Sequence, residues 1–247
     1  MKTAWPFPRV VAHRGGGSLA PENTLVAMQC GLAHGFRAVE FDVMLSLDGV
    51  PILMHDEQFG RTVAGTGAVS TTNASVLTSM DAGRWFGPAF AGEQVPAYRQ
   101  VIEFCQRHCI WMNVEIKPAH GAGQATGTVV AAMTLALLEA DQAMPLLSSF
   151  SFEALMAAKL AAPGIPRGWL VEHIPTDWKE KLLELDALAL HVDQKNLTAT
   201  DAMAVKDAGF GLFCYTVNTV ERARELLDWG VDGFCTDRID LIGPGFA

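Results

Sequence analysis

The feature that most restricts the fold of this chain is a regular alternation of helical and extended segments over its second half. Helical periodicity is present at 96–108, 127–140, 152–161, 177–185, 200–208 and 220–229. Each of these segments precedes a short apolar strand, at 110–115, 146–150, 168–171, 188–192, 211–217 and 233–236. Strands at 9–12 and 38–45 raise the total to eight. Because no dinucleotide-binding fingerprint favours a doubly wound sheet, we predict an α/β fold of the (β/α)8 TIM-barrel class.

The alternation is interrupted between the second strand and the helix at 96–108. Asp48-Gly49 is a predicted hairpin turn, after which an extended run at 50–54 returns beside the second strand. Residues from about 57 to 95 are then rich in Gly, Ser and Thr and lack a long period. We predict a single domain over 1–247 in which about 57–95 form a small insertion over one end of the barrel, with a short helix near 73–80.

Composition limits the partners and the compartment. The net charge of −9 argues against nucleic acid, which needs a basic surface. The five cysteines are scattered without the pairing of a zinc site, and we expect reduced thiols. Residues 5–9 interrupt any signal-peptide segment, and the apolar helix at 129–138 is too short to span a bilayer. We therefore expect a cytoplasmic protein without stable membrane association, and no sequence feature selects an oligomeric state.

The strand at 38–45 carries two carboxylates in an otherwise apolar run. Side chains alternate along a strand, so Glu40 and Asp42 point to the same face. Two like charges this close require a cation or protons to offset them. One interpretation is a metal or acid–base site, and the other is an exposed edge strand with a wet acidic face. Glu115 and Lys117 also share a face at the end of their strand, which indicates one shared site.

In a barrel, functional groups gather at the carboxyl ends of the strands. His13 and Arg14 end the first strand, and His55 follows the extended run beside the second. We therefore predict that these side chains converge on the carboxylates.

These residues lie within motifs that resemble those of the glycerophosphodiester phosphodiesterases, most closely the bacterial cytosolic type. The motifs are H-R-G…P-E-N-T at 13–24, E-F-D at 40–42, H-D at 55–56, E-I-K at 115–117, S-S-F at 148–150, Y-T-V-N at 215–218 and G-V-D…T-D at 230–237. They extend over essentially the whole chain and occur in the family's order. One departure is Tyr215, where many members have Trp.

The resemblance implies metal-dependent hydrolysis of small-molecule glycerophosphodiesters, such as glycerophosphocholine or glycerophosphoethanolamine, to sn-glycerol 3-phosphate and an alcohol. It implies that one divalent metal ion is bound by three carboxylates, those of Glu40, Asp42 and Glu115. It further implies that His13 and His55 are the catalytic acid–base pair.

The resemblance also implies that Arg14 and Lys117 hold the phosphate. Phe150 and Tyr215, at strand ends, have two interpretations, as walls of the glycerol pocket or as barrel packing. The residue chemistry agrees with the implied cofactor, because three carboxylates without a thiolate favour Mg²⁺ or Ca²⁺ over zinc. Two histidines suit acid–base catalysis at neutral pH.

Two alternatives remain open at this stage. A related phosphodiesterase acting on lysophospholipid or phosphoinositide headgroups would use an apolar surface, for which Trp85, Phe86 and Phe90 are candidates. A non-catalytic phosphate-binding barrel would not need both His13 and His55. We expect Glu22 and Asn23 to organise the first helix and its turn. The remaining histidines are expected to be structural or exposed, namely His34, His108, His120, His173 and His191.

Overall fold

Parallel strands form the wall of a closed barrel in the computed structural model, which describes residues 5–139 and 142–247. The strands in chain order are β1 (Val10–Ala12), β2 (Ala38–Leu45), β3 (Pro51–Leu53), β4 (Trp111–Ile116), β5 (Leu146–Ser149), β6 (Arg167–Val171), β7 (Ala189–Asp193), β8 (Gly211–Tyr215) and β9 (Gly233–Thr236). All except β3 pair in parallel, and β1 contacts both β2 and β9, which closes the ring. The predicted eight-stranded TIM barrel is therefore confirmed.

Helices cover the outside of this barrel, except for the second one along the chain, which lies in the segment after β3. They are α1 (Leu25–Ala33), α2 (Ala74–Leu77), α3 (Tyr98–Arg107), α4 (Gly123–Leu137), α5 (Phe152–Ala161), α6 (Trp178–Leu185), α7 (Ala199–Asp207) and α8 (Val220–Asp228). Four of them begin where a hydroxyl side chain accepts a hydrogen bond from the first turn, at Thr24, Ser151, Thr198 and Thr219. Within the described residues, no helix has both the length and the apolar character needed to cross a membrane.

The predicted start of α4 is wrong by four residues. The sequence places the beginning of the helix at Gly127, whereas the helix begins at Gly123. A Cβ atom added to Gly127 would lie 2.1 Å from the carbonyl oxygen of Ala154 on α5. Gly127 is therefore an interior residue whose missing side chain allows α4 and α5 to approach closely.

The segment after β2 forms the predicted hairpin and then a small separate cluster. β2 and β3 pair antiparallel, with Val43 opposite Leu53. Buried apolar side chains from β2, β3 and the segment 57–95 pack together, and they include Met44, Ile52, Val63, Val69, Leu77 and Val95. The short helix predicted near 73–80 is α2.

Aromatic side chains close the amino end of the barrel. Trp5 stacks on Phe213 with ring centroids 5.9 Å apart, and Phe7 stacks on Trp111 at 4.7 Å. Trp111 begins β4, so this layer lies opposite the carboxyl ends of the strands. The barrel interior is consequently accessible from the carboxyl end, where the predicted site residues lie.

Candidate active site

Three carboxylates meet at the carboxyl end of two neighbouring strands. Asp42 on β2 lies opposite Glu115 on β4 in the strand register, and Glu40 precedes Asp42 on the same face. One oxygen from each carboxylate lies within 4.8 Å of the other two. Glu40 and Asp42 are 5% and 1% exposed, so the interpretation of β2 as an exposed acidic edge strand is wrong.

The three acids have unequal electrostatic environments. Burial and the charges of Asp42 and Glu115 raise the pKa of Glu40. Burial and the charge of Asp42 raise the pKa of Glu115 to about 7. Burial also disfavours ionisation of Asp42, but Arg14 and Lys117 outweigh it and lower the pKa of Asp42. The cluster therefore concentrates negative charge that nearby cations offset only in part.

The spacing of these oxygens fits a hard divalent cation. Two ligands of one Ca²⁺ ion can lie up to roughly 5 Å apart, twice the Ca²⁺–oxygen distance of ~2.3–2.6 Å. Separations within 4.8 Å satisfy this limit, and Mg²⁺, with its shorter bonds of ~2.0–2.1 Å, requires a small contraction. The ligand set contains only oxygen, which suits both ions.

Asn23 holds one of the carboxylates in place. Its Nδ2 donates to Asp42 Oδ2 at 2.8 Å, and its Oδ1 accepts from the Asp42 backbone N–H at 3.1 Å. The helix that follows is capped by Thr24. Glu22 accepts from Arg14 and Arg61. Glu22 and Asn23 lie in the turn before α1, as expected, and their side chains in addition bind site residues.

Two cationic side chains lie beside the carboxylates. Arg14 Nη1 is 2.7 Å from Glu22 Oε1, and its Nε is 3.4 Å from Asp42 Oδ2. Lys117 Nζ lies 3.6 Å from Asp42 Oδ1 and 3.7 Å from Glu115 Oε1. Positive and negative groups therefore share one small region, as the sequence predicts.

Each of the two predicted catalytic histidines is hydrogen-bonded to an aspartate. His13 Nδ1 is 2.6 Å from Asp237 Oδ1, and His55 Nδ1 is 2.6 Å from Asp56 Oδ1. The pKa of Asp56 is about 2, because hydrogen bonds from Arg61 and His55 outweigh the effect of burial. An ionised carboxylate only accepts, so Nδ1 carries the ring proton and Nε2 is the atom available for proton transfer.

A cavity of about 180 Å³ opens among these groups. The predicted residues that line it are His13, Arg14, Glu40, His55, Glu115, Lys117, Phe150 and Tyr215. Phe150 and Tyr215 meet edge to face at 5.7 Å, and Phe150 is 46% exposed. These two aromatic side chains therefore form part of the cavity wall. Asp42, behind the wall, contacts Lys117.

Comparison with known proteins identifies the family. Residues 13–241 match the sequence model of the glycerophosphoryl diester phosphodiesterase family. This chain belongs to that family. The family resemblance stated above is thereby confirmed, and with it an enzyme of the phosphodiesterase class.

Individual members of the family match over nearly their full length. A glycerophosphodiester phosphodiesterase from Caldanaerobacter subterraneus is 31% identical over 229 residues, which cover 92% of this chain and 93% of the relative. A phosphodiesterase from Oleispira antarctica, solved in complex with the product sn-glycerol-3-phosphate, is 35% identical with a TM-score of 0.89 and covers 93% of both chains. A glycerophosphodiester phosphodiesterase structure from Agrobacterium tumefaciens is 27% identical with a TM-score of 0.78, covering 95% of this chain and 98% of that one.

The sequence predicts no site role for several residues that line this family member's cavity, although Ser148 lies within the S-S-F motif. Asn113, Ser148 and His191 line it, and His191 is buried inside the barrel. One signal was available for Asn113, because it shares the inward face of β4 with Glu115. The His191 ring lies in the space left by Gly168 on the neighbouring strand β6, and no sequence pattern within β7 indicates that contact.

Proposed function

We propose that this enzyme hydrolyses glycerophosphodiesters, such as glycerophosphocholine or glycerophosphoethanolamine, to sn-glycerol 3-phosphate and an alcohol. One observation carries the proposal: the histidines of two histidine–aspartate pairs, two acids of a carboxylate cluster and two cations line a single cavity. This set supplies proton transfer, a cation site and charge for a phosphate anion. A cytoplasmic location stays a prediction from the sequence.

The proposed cofactor is one divalent ion, Mg²⁺ or Ca²⁺, held by Glu40, Asp42 and Glu115. The oxygen spacing and the raised pKa values of Glu40 and Glu115 support it, because a bound cation offsets the repulsion among the three acids. When bound there, such an ion polarises a phosphoryl oxygen and offsets developing negative charge.

Arg14 and Lys117 are the proposed phosphate ligands. Arg14 is oriented by its bond to Glu22, so its planar guanidinium is pre-positioned. Lys117 is a point charge whose nearest acids, Asp42 and Glu115, are the proposed metal ligands. With the cation present, those acids are partly neutralised and both side chains can act on the substrate anion.

His13 and His55 are the proposed acid and base. One imidazole takes a proton from the attacking hydroxyl or water through Nε2, and the other gives a proton to the leaving alkoxide. Asp237 and Asp56 fix the ring orientations through Nδ1 and stabilise the imidazolium form. Phe150 and Tyr215 are proposed to pack against the carbon chain of the glycerol.

The alternative of a lysophospholipid-acting enzyme has less support. Trp85 is 41% exposed, but its ring packs edge to face on Phe86 at 5.5 Å, and Phe86 packs on Phe90 at 5.2 Å. Trp85 Nε1 also donates to the Ala82 carbonyl at 2.8 Å. Phe86 contacts both of the other rings, which leaves only part of the cluster for a lipid surface.

The test is to incubate the purified protein with glycerophosphocholine and to separate the products. We expect sn-glycerol 3-phosphate and choline, since the proposal places the leaving alkoxide on the choline side. Release of glycerol and phosphocholine would show cleavage of the other ester bond. Lysophosphatidylcholine is the comparison substrate, and faster turnover of it than of glycerophosphocholine would support the alternative.

A further inference from the structure

Beneath the charged rim, the cavity has a second group of polar side chains that the proposed reaction does not use. Asn113 on β4, Ser148 on β5 and His191 on β7 all line it, and their exposed fractions are 2%, 1% and 1%. We call these three residues the polar floor. Asn113 lies opposite Glu40 in the strand register and Ser148 opposite Glu115, so the floor adjoins the carboxylate cluster.

The polar floor contains buried atoms without partners. Within 5–139 and 142–247, Asn113 Oδ1, Ser148 Oγ and both ring nitrogens of His191 accept or donate no hydrogen bond. Native proteins pair nearly all buried polar atoms with protein, water or a ligand. Three such side chains facing one cavity therefore indicate a site that is completed by something that enters the cavity.

Packing alone holds the His191 ring in this position. Its centroid lies 4.8 Å from that of Phe213, and a Cβ atom added to Gly168 would lie 2.4 Å from His191 Nε2. The ring occupies the space that a side chain at position 168 would take inside the barrel. Because no protein hydrogen bond consumes its nitrogens, both are left for a ligand.

The chemistry of the polar floor differs from that of the rim. The rim carries full charges from Arg14, Lys117 and the carboxylates, whereas the floor presents neutral donors and acceptors. Burial keeps the imidazole of His191 neutral, with a pKa of about 3. A neutral imidazole offers one donor and one acceptor, a serine hydroxyl either, and the amide oxygen an acceptor. This combination matches alcohol hydroxyls, which both donate and accept.

We propose that Asn113, Ser148 and His191 bind the hydroxyl groups of the glycerol moiety and thereby select glycerophosphodiesters over other phosphodiesters. The inference rests on the proposed function and assigns the substrate specificity of the same cavity. Its volume of about 180 Å³ is roughly ten times the ~15 Å³ that one water molecule needs, so it accommodates a small polyol. A site built to bond hydroxyls rejects analogues that lack them, because its buried polar groups then stay unpaired.

Two variants test the polar floor. Ser148→Ala removes one oxygen, and His191→Phe keeps an aromatic ring but removes both nitrogens. We measure kcat/KM for glycerophosphocholine and for bis(4-nitrophenyl) phosphate, which has no hydroxyl group. Each variant should lower the ratio of the first to the second by about tenfold, the effect of one lost hydrogen bond to a buried group. Each variant is judged on its own, so failure of one to fold leaves the other to decide.

Ser149→Ala is the matched control. It makes the same change on the same strand, but Ser149 Oγ bonds to the Ile116 carbonyl at 2.5 Å. The control should alter stability and leave the substrate ratio as in the wild type. A ratio that also stays at the wild-type value in Ser148→Ala and His191→Phe would mean that the floor holds only water, and would overturn the proposal.

A binding measurement separates this proposal from the proposed function. By calorimetry, the wild type should bind sn-glycerol 3-phosphate more tightly than propyl phosphate, which lacks both hydroxyls, and the floor variants should lose that preference. Equal binding of the two ligands by the wild type would overturn the floor proposal even if glycerophosphocholine is hydrolysed. Failure to hydrolyse glycerophosphocholine, with the preference intact, would overturn the proposed function alone.

Discussion

Arg61 and Glu22 form a two-point ion pair, with 2.7 Å from Nη1 to Oε2 and 2.7 Å from Nη2 to Oε1. Arg61 Nε also contacts Asp56 Oδ2 at 2.5 Å, and Glu22 Oε1 accepts from Arg14. Arg61, in the segment 57–95, therefore connects Asp56, the partner of His55, through Glu22 to Arg14, the proposed phosphate ligand. The segment 57–95 contributes to the site through this connection.

The first prediction follows from that connection. Arg61→Gln should lower kcat/KM by roughly tenfold, because the Asp56–His55 pair and Arg14 lose a shared support. Arg61→Lys should recover only part of the loss, since an ammonium cannot form the two-point pair. Steady-state kinetics measures both, and thermal unfolding should change little because Arg61 is 44% exposed on its side chain.

Arg84→Gln supplies the control for Arg61. Arg84 lies in the same segment, 77% exposed on its side chain, and its ion-pair partner Asp81 lies outside the cavity wall. Its removal should leave kcat/KM at the wild-type value. If both variants lose activity equally, the effect belongs to the segment as a whole, and the specific Arg61–Glu22 connection is not responsible.

The sequence predicted the barrel and the rim because both depend on local patterns. Each strand is recognisable from a run of neighbouring residues. In a (β/α)8 barrel the carboxyl ends of all strands meet at one rim, whichever strands are neighbours. The two acids of β2 share a face by alternation alone. These inferences need no knowledge of which strand contacts which.

The parts that the sequence did not predict depend on contacts between distant segments. Arg61 and Glu22 are 39 positions apart with no periodic relation, so nothing local links them. The place of His191 requires a glycine at 168 on the adjacent strand. The sequence places the start of α4 at Gly127, whereas this glycine lies inside the helix, where its lack of a side chain permits packing against α5.

A second prediction concerns the metal. Extensive dialysis against EDTA should inactivate the enzyme, and Mg²⁺ or Ca²⁺ should restore it, because Glu40, Asp42 and Glu115 repel one another without a cation. Glu40→Gln and Asp42→Asn should abolish activity while the far-ultraviolet circular dichroism stays that of the folded protein. Undiminished turnover after complete metal removal, verified by elemental analysis, would contradict the metal assignment.

A third prediction is a pH dependence of stability in the metal-free protein. Burial and Asp42 raise the pKa of Glu115 from 4.5 to about 7, so the native state binds more protons than the unfolded state between these values. The free energy of unfolding should therefore fall as pH rises from about 4.5 to 7, and stay low above that. Thermal melts of chelated protein across this range measure it.

Glu115→Gln is the matched variant for that dependence. It removes one of two acids with a raised pKa and should reduce the fall in melting temperature up to a pH of about 7, with the remaining fall due to Glu40. The chelated variant should then be more stable than the chelated wild type at the upper end of this range. Added Ca²⁺ should raise the melting temperature of the wild type but not of the variant. Identical pH profiles for the two chelated proteins would show that Glu115 is not the responsible group.

A fourth prediction concerns the barrel interior. Gly168→Ala should destabilise the protein by about 1–3 kcal/mol, because the new methyl group collides with His191 in a filled core. Gly164→Ala is the control, since a Cβ atom there meets nothing within 4 Å. Urea unfolding measures the free energy of unfolding of both variants. If Gly168→Ala is as stable as Gly164→Ala, the His191 ring does not fill the space beside Gly168.

The last prediction separates the roles of the two histidines proposed to be catalytic. The second partner of Asp56 is the cation Arg61, whereas that of Asp237 is the neutral Asn218, whose Nδ2 donates to it at 2.8 Å. Because Arg61 partly neutralises Asp56, Asp56 stabilises the protonated, positively charged form of His55 only weakly. Burial acts in the same direction and lowers the pKa of His55 despite the opposing charge of Asp42. We expect His55 to be neutral in the resting enzyme and to act as the base, which leaves His13 as the acid.

The leaving group distinguishes these roles. Alanine at either position should lower kcat/KM for glycerophosphocholine by roughly 10²–10⁴-fold. A nitrophenyl phosphodiester has a leaving group that barely needs protonation, so His13→Ala should recover much of its rate on that substrate while His55→Ala should not. The profile of kcat/KM against pH should be bell-shaped in the wild type and lose a different limb in each variant. Recovery by His55→Ala alone would reverse the two roles, and equal loss on both substrates would indicate that the histidines bind phosphate without transferring protons.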